Sequence, residues 1–539
     1  MNWTTAEHGA TLSFSLARDR TRSSSRRSEL ERALKPMAHA FSLPPGAVSE
    51  HRGLTFWMNR TLEELSEFRS EPDAHTVHDL RVALRRCRSI AAAIEEIDPH
   101  PEWQELRRCA RKLFRSLGDL RDTHVMTDWL NQLHPEAEAL KDRLLNWLAS
   151  QETSAHEKAR HRAVRFDEGR WKELSRSLSS RMRRVPADSD AAHCLALERL
   201  EEAKELHRRA MRTEGHRPWH ALRIGIKRFR YSVECLLPNV HAGLGESLKR
   251  VQDVLGNIHD LDVLAEILKK ARKEAIGADQ DWETRIEAER QKNVQTYRQM
   301  ALGTASIWNS WLAAFPRNNW EQYGRARIRA TRAAMVIKSG RSLVVARLAL
   351  RIWCQLRARK IAEIFSDKRE RRILEAAAKL SGIDNPSAKK PRAKSARTFL
   401  LKSPVPPRWT FVEWERVAWA IRFQSGAEPG PQQKRFSRLS PEQQAKIRLH
   451  AGILRVAIAA QKCGVKSSSS LRIDDWPQGL LLRACGAADS PKNAARFTEA
   501  KRLMERSLGK TILVQAGPAT HDPGQRQEAD PPTAISIVR

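Results

Sequence analysis

One eleven-residue pattern occurs twice in this chain, and its spacing constrains both copies to be helices of a particular kind. His78-Asp79-Leu80-Arg81-Val82-Ala83-Leu84-Arg85-Arg86-Cys87-Arg88 aligns without a gap with His220-Ala221-Leu222-Arg223-Ile224-Gly225-Ile226-Lys227-Arg228-Phe229-Arg230. The basic residues His78, Arg81, Arg85 and Arg88 recur as His220, Arg223, Lys227 and Arg230. Steps of three, four and three put each quartet on one stripe of a helix with 3.6 residues per turn. Leu80, Leu84, Cys87 and Ala91 fall on the other side, and Leu222, Ile226, Phe229 and Val233 follow in the same register. Each copy therefore has one face for a core and one for cations. A related element follows each copy: Leu117-Gly118-Asp119-Leu120-Arg121-Asp122 parallels Leu255-Gly256-Asn257-Ile258-His259-Asp260, and Val125 parallels Val263. From His78 to Gly118 is 40 residues, and from His220 to Gly256 is 36. A duplicated unit of a few helices accounts for this spacing.

The surrounding sequence fits the same class. Residues 50–315 show apolar positions at steps of three and four, with many Leu, Ala, Arg and Glu and few prolines. Breaks are expected at Asp98-Pro99-His100-Pro101, around Pro135, at Pro186 and at Pro238-Asn239. No stretch there alternates with a period of two, so the expectation is a mainly α domain. Residues 1–47 are rich in Arg and Ser and read as a flexible basic leader. A second, mostly helical region is expected from about Gly324, over residues 325–515, with residues 516–539 as a mobile tail. Within it, Pro386 to Pro407 reads as an exposed loop, and helices resume from Thr410 to Ala460. Ser470–Cys485 and Thr511–Val514 are candidate strands.

Charge bounds the partners. The chain of 539 residues carries 96 Lys+Arg against 64 Asp+Glu, a formal net charge of +32. Such a field attracts polyanions, and by itself it does not choose between nucleic acid, an anionic membrane surface and polyphosphate. The stripes add more. Like charges at i and i+4 weaken a helix that has no partner for them, so four in a row, twice, point to an anion. Guanidinium forks bind phosphate oxygens in pairs, while Lys and protonated His add point charges. A nearby polyanion favours the charged imidazole, so binding is expected to strengthen as pH falls. Asp122, Asp260 and Asp262 would then orient the cations. The plainer reading of an Arg-rich stripe is a solvated face, and the two histidines also suit burial with a hydrogen bond. Recurrence in one register is what argues for phosphate contact.

Seven scattered cysteines without a CxxC pair argue against a disulfide framework or a zinc site. No apolar run approaches a membrane span and no signal core follows the N-terminus, so the cytoplasm is the expected compartment. Phosphate-loop, dinucleotide, nucleophile-elbow and zincin motifs are missing in any useful context. Sixteen tryptophans invite a base-stacking reading, above all Trp57, Trp171 and Trp219 beside basic residues. Core packing explains them more simply. From Arg325 to Lys360 there are eleven basic residues and no acidic one. That stretch suits a nucleic-acid stripe, yet Val345, Leu348, Leu350 and Trp353 suggest one buried face.

The segments Val77–Arg88, Leu117–Val125, His220–Glu234 and Leu248–Leu264 resemble the CHAD family, the conserved histidine α-helical domain, over residues 50–315. The resemblance implies two four-helix bundles related by pseudo-symmetry, with a basic central groove that binds inorganic polyphosphate. His124 stands where the first LG…RD element of the family usually carries another Asp. The second region is similar, in Val345–Leu350, Leu374–Ala378 and Ala451–Ala457, to the HD-like part of the exopolyphosphatase/guanosine-pentaphosphatase family. Its metal-ligand places hold Ser381, Gly382, Phe423, Gln424, Ile458, Gln461 and Arg341, and no actin-like phosphatase half is present. Metal ligation needs imidazole and carboxylate donors at fixed places, so a degenerate, non-catalytic HD-like domain is expected, without metal or cofactor.

The expected phosphate contacts are His78, Arg81, Arg85, Arg88, His220, Arg223, Lys227 and Arg230, with Arg86, Arg121, Lys249 and Arg250 in second rank. The expected partner is inorganic polyphosphate, at granules or with polyphosphate-metabolising proteins, and no membrane. Two other functions stay open: a phosphohydrolase acting on polyphosphate or guanosine pentaphosphate, and a nucleic-acid-associated protein.

Overall fold

The computed structural model describes residues 53–133, 139–213, 215–273, 280–335, 339–383 and 393–517. The basic leader, the break at Pro135 and all but the first residues of the C-terminal tail lie outside them. The first half is built from helices α1 (Leu54–Ser70), α2 (Ala74–Ile97), α3 (Pro101–Leu133), α4 (Ala139–Val164) and α5 (Glu168–Met182). The second repeat follows as α6 (Asp190–Ala210), α7 (His216–Leu236), α8 (Pro238–Lys273), α9 (Gln280–Ala301) and α10 (Ile307–Ala313). The boundaries follow local chemistry. Asp73 caps α2, accepting from the Thr76 N–H at 2.7 Å, and its own N–H donates to Thr76 Oγ1 at 3.0 Å. Helix α2 stops before Pro99 and α7 before Pro238, because the residue preceding a proline is held out of the helical region.

Consecutive helices pack as antiparallel neighbours, α1 to α4 and again α6 to α9. The two copies of the repeated pattern lie on α2 and α7, which pack against each other, as do α3 and α8. The apolar side of each repeat is core: Leu80, Leu84, Cys87 and Ala91 are fully buried, as are Leu222, Ile226, Phe229 and Val233. One apolar cluster runs through both halves from Leu54 to Tyr323. A smaller one, with Trp129, Leu130 and Leu144 against Leu261, Leu264 and Trp282, joins the far ends of α3 and α4 to those of α8 and α9. Trp171 and Trp219 belong to the large core, and the Trp171 indole N–H donates to the Met58 carbonyl at 3.0 Å. Neither offers a ring for stacking on a base.

Helix α11 (Trp320–Met335) carries the chain out of the first core: its Tyr323 packs there, while Ile328 and Met335 pack in the next cluster. Gly324 lies in this helix, between Tyr323 of the first cluster and Ile328 of the next. A Cβ at Gly324 would come within 2.6 Å of the Pro407 carbonyl oxygen, so the glycine allows a close backbone approach. Buried Arg327 donates to the Glu96 carbonyl at 2.7 Å and lies 3.4 Å from Glu198. Helices α12 (Ser339–Ala358), α13 (Lys368–Lys379), α14 (Ala393–Lys402), α15 (Phe411–Arg422), α16 (Lys434–Ser437) and α17 (Pro441–Lys462) follow. Helix α14 corrects the expectation of a loop throughout Pro386–Pro407. Ala396 and Leu400 are buried against the second core, and that contact overrides the polar, proline-flanked sequence. Residues between α15 and α17 are largely irregular. Buried Arg455 substitutes for helix bonds there, donating to the Phe423 and Ala427 carbonyls and to Glu428. Val345, Leu348 and Trp353 are buried on α12, so this stretch has the one buried face expected of it, while Arg341, Arg347, Arg351 and Arg357 are exposed.

Strands β1 (Leu471–Trp476), β2 (Gly479–Cys485) and β3 (Thr511–Gly517), with α18 (Pro491–Leu508) between the last two, close the fold. β1 runs antiparallel to β2, with Leu471 opposite Ala484, and β2 runs parallel to β3. The two candidate strand segments are thus present, the first as a tight hairpin. The Gln355 amide ties α12 to β1 through the Leu471 carbonyl at 3.0 Å and the Ile473 N–H at 2.7 Å.

Candidate polyanion basin

The stripes of α2 and α7 meet. Arg81 and Arg85 from the first repeat lie within electrostatic reach of Lys227, and Arg81 and Arg223 both face Tyr231. Asp122 of α3 and Asp260 of α8, the equivalent last residues of the two LG elements, stand beside the same cations and beside each other. Arg121 joins them, facing Arg81 and Asp260. The duplicated sequence thus builds one site from two halves.

This cluster is short of partners. Among the described residues, Arg85, Arg121, Arg223 and Lys227 make no side-chain hydrogen bond or ion pair, and Arg81 only reaches the Phe114 carbonyl at 3.4 Å. The Nε groups of Arg85 and Arg223 are buried and meet no acceptor among those residues. Leaving charged donors unanswered costs more than an ordinary unmade bond. The walls hold Arg81 in place: Phe114 lies under its guanidinium at 4.8 Å from the ring centre, and under that of Arg88 at 4.2 Å. A Cβ at Gly118 would come within 2.8 Å of Arg81 Nη1, whereas one at Gly256 would meet nothing within 4 Å. The first LG element is therefore a seat for an arginine, and the second leaves open space. Phe114, Tyr231 and Gly118 thus join the site without having been expected there. Tyr231 directly follows the repeated pattern, but no spacing rule marks it out.

Burial sets the charge states. Lys227 is lowered to about 7 by burial and by the nearby Arg223 and Arg85. Asp122 and Asp260 are raised, burial being the main cause, with their neighbouring cations acting against it. Asp122 is nevertheless exposed by its surface area.

The remaining expected contacts spread away from this centre. At one end His220 Nδ1 lies 3.3 Å from His259 Nδ1. Burial and Arg223 depress both rings, His259 to about 4. Near neutral pH His259 is thus a neutral imidazole in the free protein. His216 Nδ1 pairs with Asp262 at 2.5 Å, and Arg290 Nε donates to the same oxygen at 2.8 Å. Asp262 therefore orients these two residues rather than the central cations. His78 is exposed and bonded to its neighbour Asp79 at 2.8 Å. His124, the departure from the family pattern, pairs with Glu152 at 2.8 Å.

At the other end Arg88 faces Arg107, Arg111 and Arg115 of α3. Arg86 is committed to Glu234 at 2.5 Å and sits over the Trp57 ring, and Arg230 approaches the same carboxylate at 3.8 Å. Lys249 and Arg250 are exposed on α8, Arg250 paired with Glu246 at 2.9 Å. Among the described residues no group of three His, Cys, Asp or Glu has the arrangement of a metal site, and no helix is long and apolar enough to cross a membrane.

No curated protein matches the chain. Among solved structures, the crystal structure of the CHAD domain from the plant Ricinus communis is similar at 22% identity, over 48% of this chain and 88% of that one, with a TM-score of 0.33. Residues 58–269 match the family model described as CHAD domain, a span that holds both repeated helices and both LG elements. The mainly α protein therefore carries a CHAD domain, made by residues 58–269.

Proposed function

We propose that this protein binds inorganic polyphosphate in the basin between α2 and α7, as a non-catalytic binding or scaffold protein. The observation that carries the reading is the convergence of Arg81, Arg85, Arg223 and Lys227 without a carboxylate, among the described residues, at ion-pair distance from any of them. A chain of phosphates offers an oxygen acceptor to each guanidinium fork and a line of charge along the groove. CHAD domains are associated with the same ligand. The second region supplies basic surface or a partner site in this reading, and Arg341, Ser381 and Gln424 carry no metal chemistry.

The test is a competition titration at fixed, near-physiological salt, because affinity for any polyanion falls with salt. Labelled long-chain polyphosphate should resist displacement by duplex DNA and RNA at equal phosphate concentration. Equal displacement by nucleic acid would leave only nonspecific attraction to a basic surface.

The basin also sets a pH dependence. Lys227 is a cation below about 7 and neutral above it. A bound polyanion favours the cation, so binding takes up a proton wherever Lys227 is free of one. At constant ionic strength, affinity should fall as pH rises from about 6 to about 9, across the free and ligand-raised values. Lys227→Arg, always charged, should flatten the profile. An equally steep profile in that variant would assign the titration to another group.

A further inference from the structure

A second cationic concavity lies outside the basin, on the outer side of the first bundle. It has a volume of about 480 Å³ and is floored by Cys109, Leu113 and Phe166. Its rim carries Arg108 and Lys112 of α3, with Arg162 and Arg165 at the end of α4. All four side chains are exposed, and none makes a hydrogen bond or an ion pair among the described residues. The two carboxylates of the wall are already engaged. Glu105 accepts two bonds from Arg170, at 2.9 and 2.8 Å, and Asp167 caps α5 through the Arg170 N–H at 2.9 Å. Cations at the last turn of α4 complement the helix dipole, which explains Arg162. It does not explain Arg108 and Lys112 opposite, on a different helix and one turn apart.

We propose that this concavity is a separate site for a compact polyphosphate-class anion, a ligand with several phosphate groups and three or more negative charges. Its size suits a few linked phosphates rather than a long chain, and its four cations come from two sides, as a multivalent anion requires. Along α3, Arg108 and Lys112 point here, while Arg107, Arg111 and Arg115 face Arg88 beside the basin. One helix thus serves two anion surfaces. This site rests on its own residues and stands whether or not the basin binds polyphosphate.

Tripolyphosphate is the probe, titrated calorimetrically into the full chain at fixed salt. The wild type should bind about two equivalents. Combined Ala substitution of Arg108, Lys112, Arg162 and Arg165 should remove one equivalent. The same change at Lys466, Lys492, Arg502 and Lys510, exposed cations of the second region, should remove none. Arg85→Glu with Lys227→Glu should remove the other equivalent. Unchanged stoichiometry and affinity in the outer variant would overturn the proposal. A similar loss in the second-region control would also overturn it, because net charge alone would then be responsible. Retention of both equivalents in the basin variant would count against the basin instead. All the outer positions are exposed, so the substitutions leave the core untouched.

Discussion

Replacing Arg85 and Lys227 together by Glu is expected to abolish measurable polyphosphate binding while leaving the helical circular dichroism unchanged. Each of these side chains supplies a charged donor that no described protein group answers, one from each repeat. Charge-assisted hydrogen bonds contribute about 1.5–3 kcal/mol each, so losing two lowers affinity by about two to four orders of magnitude. Charge reversal adds repulsion of the phosphates to that loss. The fold should tolerate the change. Lys227 lies among Arg81, Arg85 and Arg223, so removing two cations relieves repulsion within the free protein. Fluorescence anisotropy with labelled polyphosphate measures the affinity directly. Binding within about threefold of wild type would remove the basin as the site.

The second large effect concerns stability. Arg327→Met should destabilise the chain by about 3–5 kcal/mol, because it leaves a buried carboxylate without its cation. Arg327 and Glu198 are both nearly inaccessible, and the same guanidinium also donates to the Glu96 carbonyl. Burial already pushes the Glu198 carboxyl up, with Arg327 opposing it. In the variant the carboxylate must protonate or stay charged without compensation. Adding Glu198→Leu should recover most of the loss, since an apolar pair in place of a buried ion pair is often neutral. Denaturant unfolding followed by tryptophan fluorescence reads both effects. A single variant as stable as wild type would show that the pair does not hold α11 against α2 and α6.

Much of the first half is legible in the amino-acid sequence. The repeated cations and the apolar positions opposite them fall where helical periodicity puts them, and every apolar member named from the repeats is buried without residual exposure. Capping and proline breaks set the helix ends. In the second half, short-range signals are weaker. Helix α14 forms from a segment whose prolines and lysines read as loop, because Leu400 and Ala396 have a core to enter. Arg327, within a run that reads as a surface stripe, is buried because Glu198 and the Glu96 carbonyl come to it from elsewhere in the chain.

The sequence by itself determined that α2 and α7 each present a cationic face and an apolar face, since side-chain direction along a helix follows from spacing alone. Tertiary structure decided which of those cations come together. Arg81, Arg85, Arg223 and Lys227 converge, while Arg86 and Arg230 turn to Glu234 and Arg88 faces α3. It also decided their protonation. His259 is depressed by loss of water and by Arg223, more than 30 residues away in sequence, and Lys227 by loss of water, by Arg223 one turn away and by Arg85 a whole repeat away. Burial and long-range charge depend on how helices pack, and no local pattern encodes them.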